Sequence, residues 1–504
     1  MKKLLKIVTI LFIFSTFLYG KSNNSFFLKD IVIVGTFPSR NSRIKEVISP
    51  FLNKEITFNG IKKIRKKIEE YYKKIGYKLT KVAIPQQKIQ NGIVKIYVNV
   101  GKIGNIKVEN AKNYSKNFIR DGFALKKNDF IDYKKMIRSL LLLNEYDDLR
   151  VESFLKKSNK KNSTDIVLKV KDSKPIHLDI WYDNLGSDTT SKNRIGAYFS
   201  RNNLVLDGDK IVVSPVVSFA PAKTKFISTK YHISLPNLVA KFGIGFVYAD
   251  YLAAGDFSDL GAQGDTYIYS LFFKIPLART ITSALDINIK YSKKEAKNYI
   301  LDSISSKEHI DLIDFGLNGS FSNAYLNLFS RFDLIAGSIN DSAILSRIDE
   351  KKRFKKSYLE VSLSKNINQK FDLITLFKGQ YSPFRLPSTE MFSIGGLTTV
   401  RGFKSGFKLG DSGFISSIEG LYKVGLKKHN LKAGIFLDYG SVWIDNPVPG
   451  ENRRESLFGG GVEVVGDINK KYNFRVSLGY PIDSTDDEYD KSLNLYVTLN
   501  AKIW

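Results

Sequence analysis

The chain has 504 residues, 43% hydrophobic and 13% aromatic, with a net charge of +28 and no cysteine. That length holds several small domains, or small domains plus one large barrel, and the missing cysteine excludes disulfide frameworks, thiolate metal sites and a cysteine nucleophile. The basic excess is uneven, because residues 21–174 carry 35 Lys/Arg against 15 Asp/Glu. No nucleic-acid motif accompanies it, so nucleic acid is not expected as a partner; a solvated lysine-rich face, or a surface for a protein client or anionic lipid, fits the same residues. The four histidines, at 177, 232, 309 and 429, are scattered singly, without HExxH spacing, so no metal site is expected.

In chain order, residues 1–20 read as a signal peptide. Lys2, Lys3 and Lys6 precede a short apolar run, and Gly20 is a small residue at the expected cleavage point. No later stretch has 18 uninterrupted apolar residues. A membrane location after cleavage therefore requires a β-barrel, since only helices and closed barrels satisfy their backbone in lipid.

Residues 21–101 form an α+β pattern. Ile31 and Ile33 lie in a first strand, and Ile61, Ile64, Ile68, Tyr71, Tyr72 and Ile75 recur at helical spacing up to Gly76. Residues 79–89 are predicted as a strand, Asn91-Gly92 as a hairpin turn, and residues 93–100 as the return strand. The order repeats in residues 102–174. There residues 130–143 are predicted helical, with Tyr133, Met136, Ile137, Leu140 and Leu141 on one side, and residues 149–155 and 164–170 form a hairpin. This twice-used unit resembles tandem polypeptide-transport-associated (POTRA) domains. The run Ile84-Pro85-Gln86-Gln87, then Asn91-Gly92, then Val100-Gly101-Lys102-Ile103, is similar to the join between two such domains in two-partner transporters.

From residue 175 to 504 the helical period disappears and alternating segments follow one another. Ile281, Leu285, Ile287, Ile289 and Tyr291 share one face, for example, and Asp286, Asn288 and Lys290 the other. About sixteen such segments predict an all-β transmembrane barrel of antiparallel strands with a polar lumen. Their predicted starts are near 176, 193, 209, 224, 239, 264, 279, 305, 323, 354, 370, 411, 428, 453, 470 and 493. With the N-terminal domains on the periplasmic side, odd strands run outwards. The connection after strand eleven, residues 383–410, is then the sixth extracellular loop.

That loop contains residues 386–403, LPSTEMFSIGGLTTVRGF, ending in Val400, Arg401, Gly402 and Phe403. It resembles the Val-Arg-Gly-Phe/Tyr signature of the outer-membrane assembly-factor superfamily, and in its longer form the two-partner secretion branch, the hemolysin-activator type. On strand thirteen, Phe436, Asp438 and Gly440 resemble the family's Phe-x-Asp-x-Gly motif, and alternation turns Asp438 inwards. The resemblance implies an inward-folded loop whose Arg401 meets Asp438. Asp183-Asn184-Leu185-Gly186-Ser187, with Gly208-Asp209, resembles the family's opening hairpin. Two departures are expected: the N-terminal plug helix of some members is missing, and Trp504 is out of register with the apolar face of the last strand.

The implied function is outer-membrane secretion of an unfolded exoprotein with an N-terminal secretion domain, bound somewhere within residues 21–174, with outer-membrane lipid as the other partner. The alternative is a barrel-assembly insertase of the same superfamily. No cofactor is expected and no enzymatic motif is found; Gly459-Gly460-Gly461 lies inside a strand pattern and reads as a bend or close contact.

Overall fold

The computed structural model of the chain describes residues 25–503 apart from 39–42, 188, 220–222, 255–258, 341–342, 427–428, 487–488 and 490. The signal segment predicted at residues 1–20 and the terminal Trp504 lie outside the described residues. The chain forms two compact units. One holds the chain up to Glu109 with Phe123–Ile137 and Glu152–Lys169; the other holds Asn110–Gly122, Arg138–Val151 and everything from Val170 onward.

In the first unit the helix Phe58–Lys74 buries Ile61, Ile64, Ile68 and Tyr72, one stripe at steps of three to four residues. Thr57 caps its start by accepting the Gly60 amide at 3.3 Å. Gly76, just past its end, adopts φ +117°, which only glycine enters freely. The stripe packs on Ile31, Val94, Ile96 and Val98 of a three-stranded sheet. Its order is Asp30–Thr36, Ile93–Asn99, Lys81–Ala83, the first pair parallel and the second antiparallel.

The strand predicted for residues 79–89 is shorter than expected, because only Lys81–Ala83 forms strand. Pro85 has no amide to donate. Beyond it a side chain continues the ladder: the Gln87 carboxamide donates to the Lys95 carbonyl and accepts from the Lys95 amide, both at 2.8 Å. Asn91 and Gly92 have φ of 54° and 69°, the conformation the predicted turn demands.

A second sheet runs Lys102–Glu109, Ser163–Asp172, Leu149–Lys157. The helix predicted from residue 130 begins instead at Tyr133. Asp132 stops it earlier, its carboxylate accepting the Lys134 and Lys135 amides at 2.9 and 3.2 Å. Leu142 and Leu143, off the predicted face, are buried. Gly122 makes room for Leu143, since a Cβ there would approach it to 2.7 Å.

The second unit contains a closed sixteen-strand barrel. Its strands are β1 (Ile176–Asp183), β2 (Arg194–Asn202), β3 (Lys210–Ser218), β4 (Lys223–Ser234), β5 (Lys241–Leu252), β6 (Gln263–Arg279), β7 (Ser283–Ile300) and β8 (Ser303–Ser322). They continue as β9 (Leu326–Ile339), β10 (Arg353–Asn366), β11 (Phe371–Tyr381), β12 (Ser412–Leu426), β13 (His429–Trp443), β14 (Arg454–Ile468), β15 (Tyr472–Ser484) and β16 (Asn494–Lys502). Neighbours pair antiparallel, and β16 closes on β1 with Thr498 opposite Asp183. Every start predicted from alternation lies within four residues of the observed one.

Alternation also separates the two walls. On β13, Ile435 is 68% and Leu437 48% exposed on the outside, while Phe436 and Asp438 are buried inside. An apolar outer wall around a polar interior is what lipid as solvent requires. β7 and β8 are the longest strands, with 18 and 20 residues, against ~9–11 to cross a bilayer. The turn Leu301–Asp302 joins them, with φ of 49° and 59°, matching the twist of a tight hairpin.

Candidate functional site: a loop anchored inside the barrel

The connection from β11 to β12 turns back into the barrel. Two short strands, Phe392–Ile394 and Lys408–Gly410, pair antiparallel and carry its tip. Ile394, Val400 and Phe403 are fully buried there with Ile415, Val442 and Leu457 of the wall.

Arg401 is 2% exposed. Its guanidinium grips Asp438 with both arms, Nε donating to Oδ2 at 2.6 Å and Nη2 to Oδ1 at 2.7 Å. The Arg401 amide adds a third bond to Asp438 at 3.0 Å. A planar fork on a carboxylate is short, directional and charge-assisted. Two further carboxylates complete the cage: Glu419 at 2.7 Å and Glu463 at 3.3 Å from Nη1. The guanidinium lies 3.5 Å above the Phe436 ring, whose face attracts cations.

Each residue of the two sequence motifs thus has a place. Phe436 is the floor, Asp438 the counter-fork, and Gly440 leaves room for Val400, which a Cβ would approach to 2.8 Å. Gly402 has φ +99°; its amide donates to the Tyr496 hydroxyl at 3.0 Å, and its carbonyl accepts from Asn494 at 2.7 Å. Phe403 packs against Phe407 and Tyr489. Gly459 of the triple-glycine run is a close contact, because a Cβ there would lie 1.8 Å from the Arg401 carbonyl oxygen, and the register of β14 on β15 shifts between Phe458 and Gly459. Asp183 of the opening hairpin pairs with Arg194 at 2.8 Å, and Asp209 accepts three amides of its own turn.

Sequence reasoning missed a second anchor. Glu390, in the same loop, is 6% exposed and sits between Lys294 of β7 and Lys356 of β10. Lys356 reaches its carboxylate at 2.8 Å and its carbonyl oxygen at 2.8 Å, and Gln380 donates to that carbonyl at 3.0 Å. The signal was present in the alternation, which turns Asp286, Asn288 and Lys290 inwards and, carried four residues further, Lys294. Glu419, Glu463 and Tyr496 were missed in the same way.

Nearer the outer rim a third set of contacts ties three loops together. Arg385 forks onto Glu451 with two bonds of 2.7 Å and donates to the Ile348 carbonyl at 2.6 Å. Asp411 accepts from Arg347 at 2.6 Å and from the Leu386 and Asp445 amides at 2.8 Å each. The loop between β9 and β10 also buries Glu350 close to Glu308 of β8. Ser346 joins them, its amide donating to Glu308 at 2.8 Å and its hydroxyl to Glu350 at 3.0 Å.

Burial, and then the adjacent Glu308 carboxylate, pushes Glu350 up to about 7. The Arg385 fork holds Glu451 down to about 2. The signs oppose. Stability from Glu350 is present below its ordinary value and is lost as pH rises through the raised one. Stability from Glu451 is present above its ordinary value and is lost only as pH falls towards the depressed one. The rim loops should therefore loosen between about pH 5 and about pH 8, by at most about tenfold per unit. Hydrogen exchange of residues 343–352 measures this, and Glu350→Gln should abolish the slope; an unchanged slope in that variant would assign it to other groups.

Three comparisons bear on what this arrangement belongs to. Residues 162–466 match the haemolysin secretion/activation protein family, ShlB/FhaC/HecB, and residues 26–101 match the ShlB-type POTRA domain. The heme/hemopexin transporter protein HuxB of Haemophilus influenzae is 22% identical over 89% of this chain and 82% of its own length. The outer membrane transporter CdiB of Escherichia coli is 19% identical over 78% of this chain and 68% of its own. Among solved structures, CdiB from Escherichia coli superposes with a TM-score of 0.83 at 18% identity, covering 96% of this chain and 92% of that one. BamA from Haemophilus ducreyi lacking POTRA domains 1–3 reaches only 0.55 at 13% identity, covering 95% of this chain and all of that one. The family match spans more than half of the chain, so the chain belongs to the haemolysin secretion/activation family, outer-membrane transporters of the two-partner secretion type.

Proposed function

We propose that the chain captures an unfolded exoprotein at its N-terminal sheets and passes it through the barrel, with the anchored loop between β11 and β12 organising the path. The observation that carries this reading is the Arg401–Asp438 fork, buried and bidentate, which holds a loop inside a lumen that a client must cross. The strand Asp30–Thr36 stands at a sheet edge, with Val32 37% exposed. An extended client can add a strand there through backbone bonds with little demand on its sequence. The secretion domain at the client's N-terminus is the segment assigned to this edge.

Charge contributes to capture, since 35 Lys/Arg against 15 Asp/Glu in residues 21–174 create a strong local field. The test is secretion of a client carrying such a domain from cells that express this chain, together with its affinity for the purified transporter at two salt concentrations. The expected result is export that depends on the chain and an affinity that falls several-fold as salt rises. Equal affinity would leave strand addition as the main contribution. Loss of other barrels from the membrane, without loss of export, would instead identify an assembly factor.

A further inference from the structure

The outer wall carries a groove of about 380 Å³ where β8 to β11 approach the extracellular rim. Register explains its shape. Small residues form the floor: Ala336 lies between Ile313 and Lys355, and Ser357 lies beside Leu334 and Tyr381. Ile313, Leu334 and Tyr381 rise around it at 59%, 51% and 63% exposure.

The groove marks the top of the apolar band. On β8 the outward positions run from Phe321 up to Ile313, eight residues or ~26 Å of strand, close to the ~25 Å height of the lipid-facing band. Lys355 stands at that upper limit, level with Ile313 through Ala336, and Arg353 stands one outward position higher, opposite Ser338. Both are exposed, and among the described residues neither has an ion-pair partner. Higher on the same wall Lys297 and Lys307 face each other directly across β7 and β8. Like charges in that position repel, and Asp265 of β6, directly opposite Lys297 on its other side, offsets part of that repulsion.

An apolar groove at the membrane edge, capped by unpaired cations, has the complement of one class of molecule. We propose that it binds a phosphate-bearing, multiply acylated lipid of the outer leaflet. An acyl chain lies over Ala336 and Ser357, and the head-group phosphate meets Lys355 and Arg353. The site rests on the outer-membrane placement of the barrel and not on the client-capture reading. It is linked to the lumen through a single strand, because Lys355 points out to the lipid while its neighbour Lys356 points in to Glu390.

The test uses the purified full-length protein in a neutral detergent, with lipid retention read by native mass spectrometry. The probe is a diphosphorylated, acylated glucosamine disaccharide; its dephosphorylated form, phosphatidylethanolamine and inorganic phosphate are the other arms. The wild type should hold the diphosphorylated lipid about 10- to 30-fold more tightly than Arg353→Gln/Lys355→Gln, the effect of two basic residues at a lipid surface. Removing the phosphates should cost a similar factor, and inorganic phosphate should not compete. Ala336→Leu, which fills the groove and leaves the cations in place, should weaken binding as well. Both substitutions face outwards, and heat-dependent migration of the barrel on gels checks that they assemble. Equal retention by the glutamine variant, or equal retention of phosphatidylethanolamine, would overturn the proposal.

Discussion

Arg401→Ala is expected to yield a barrel that assembles but secretes poorly. The substitution leaves three carboxylates, Asp438, Glu419 and Glu463, facing one another, with Arg475 the remaining cation among the described residues, at 3.7 Å from the two glutamates. Removing one partner of a buried pair costs ~3–5 kcal/mol, because the other charge stays buried and unpaired. Here that energy falls on the loop tip and not on the barrel ladder, so the expected loss is of loop position. Arg401→Lys keeps the charge but not the fork, and should restore secretion only in part. Asp438→Asn should be milder than Arg401→Ala, since Glu419 still holds the guanidinium at 2.7 Å. The decisive measurement is a double-mutant cycle on secretion rate with Arg401→Ala and Asp438→Ala. Direct coupling makes the double variant little worse than the worse single one. Losses that multiply independently would show that the contact does not support secretion.

Glu390→Ala should have an effect of similar size by the opposite charge logic. It would leave Lys294 and Lys356 as two ammonium groups in one buried site with no carboxylate between them. Each retains one backbone carbonyl of the loop within reach, at 3.4 Å for Lys294 to Thr389 and 2.8 Å for Lys356 to position 390. Those acceptors soften the penalty, so ~2–4 kcal/mol is expected against the full cost of an unpaired buried charge. The loop would then be held at its tip by Arg401 and at the rim by Arg385 and Asp411, but loosened between them. In planar bilayers the variant should show larger and more frequent conductance steps than the wild type, while Glu390→Ala/Lys356→Met recovers part of the closed state. Conductance identical to the wild type in Glu390→Ala would place the resistance of the lumen elsewhere.

Much of this architecture was legible in the residues. Strict alternation in β13 turned Asp438 inwards, and the same period located the strand starts. Regular backbone repeats with a period of two, and any long barrel strand shows it. The legibility ended where a side chain did work usually left to the backbone. Gln87 pairs with Lys95 in place of a strand, and Asp132 cuts a helix that periodicity alone would begin earlier. It ended also at contacts between distant segments. Arg401 stood out because a recognisable motif surrounds it. Glu390, equally buried, lies in an ordinary stretch, and nothing local says which of the inward lysines it will meet. Glycine was ambiguous for a related reason: the run at 459–461 revealed a need for space, but only the folded loop shows that the Arg401 carbonyl occupies it.

The long ribbon of β7 and β8 has a practical consequence. From Ile313, level with the groove, β8 climbs ten more residues to Ser303, about 33 Å of strand above the lipid edge. At its summit the Leu301–Asp302 turn joins its own two strands, and the Leu301 amide donates to the Leu260 carbonyl of a neighbouring loop. A short epitope inserted between those two residues would protrude from the cell like a mast. Antibody staining of unbroken cells could then count correctly oriented transporters one by one, including variants whose secretion has failed.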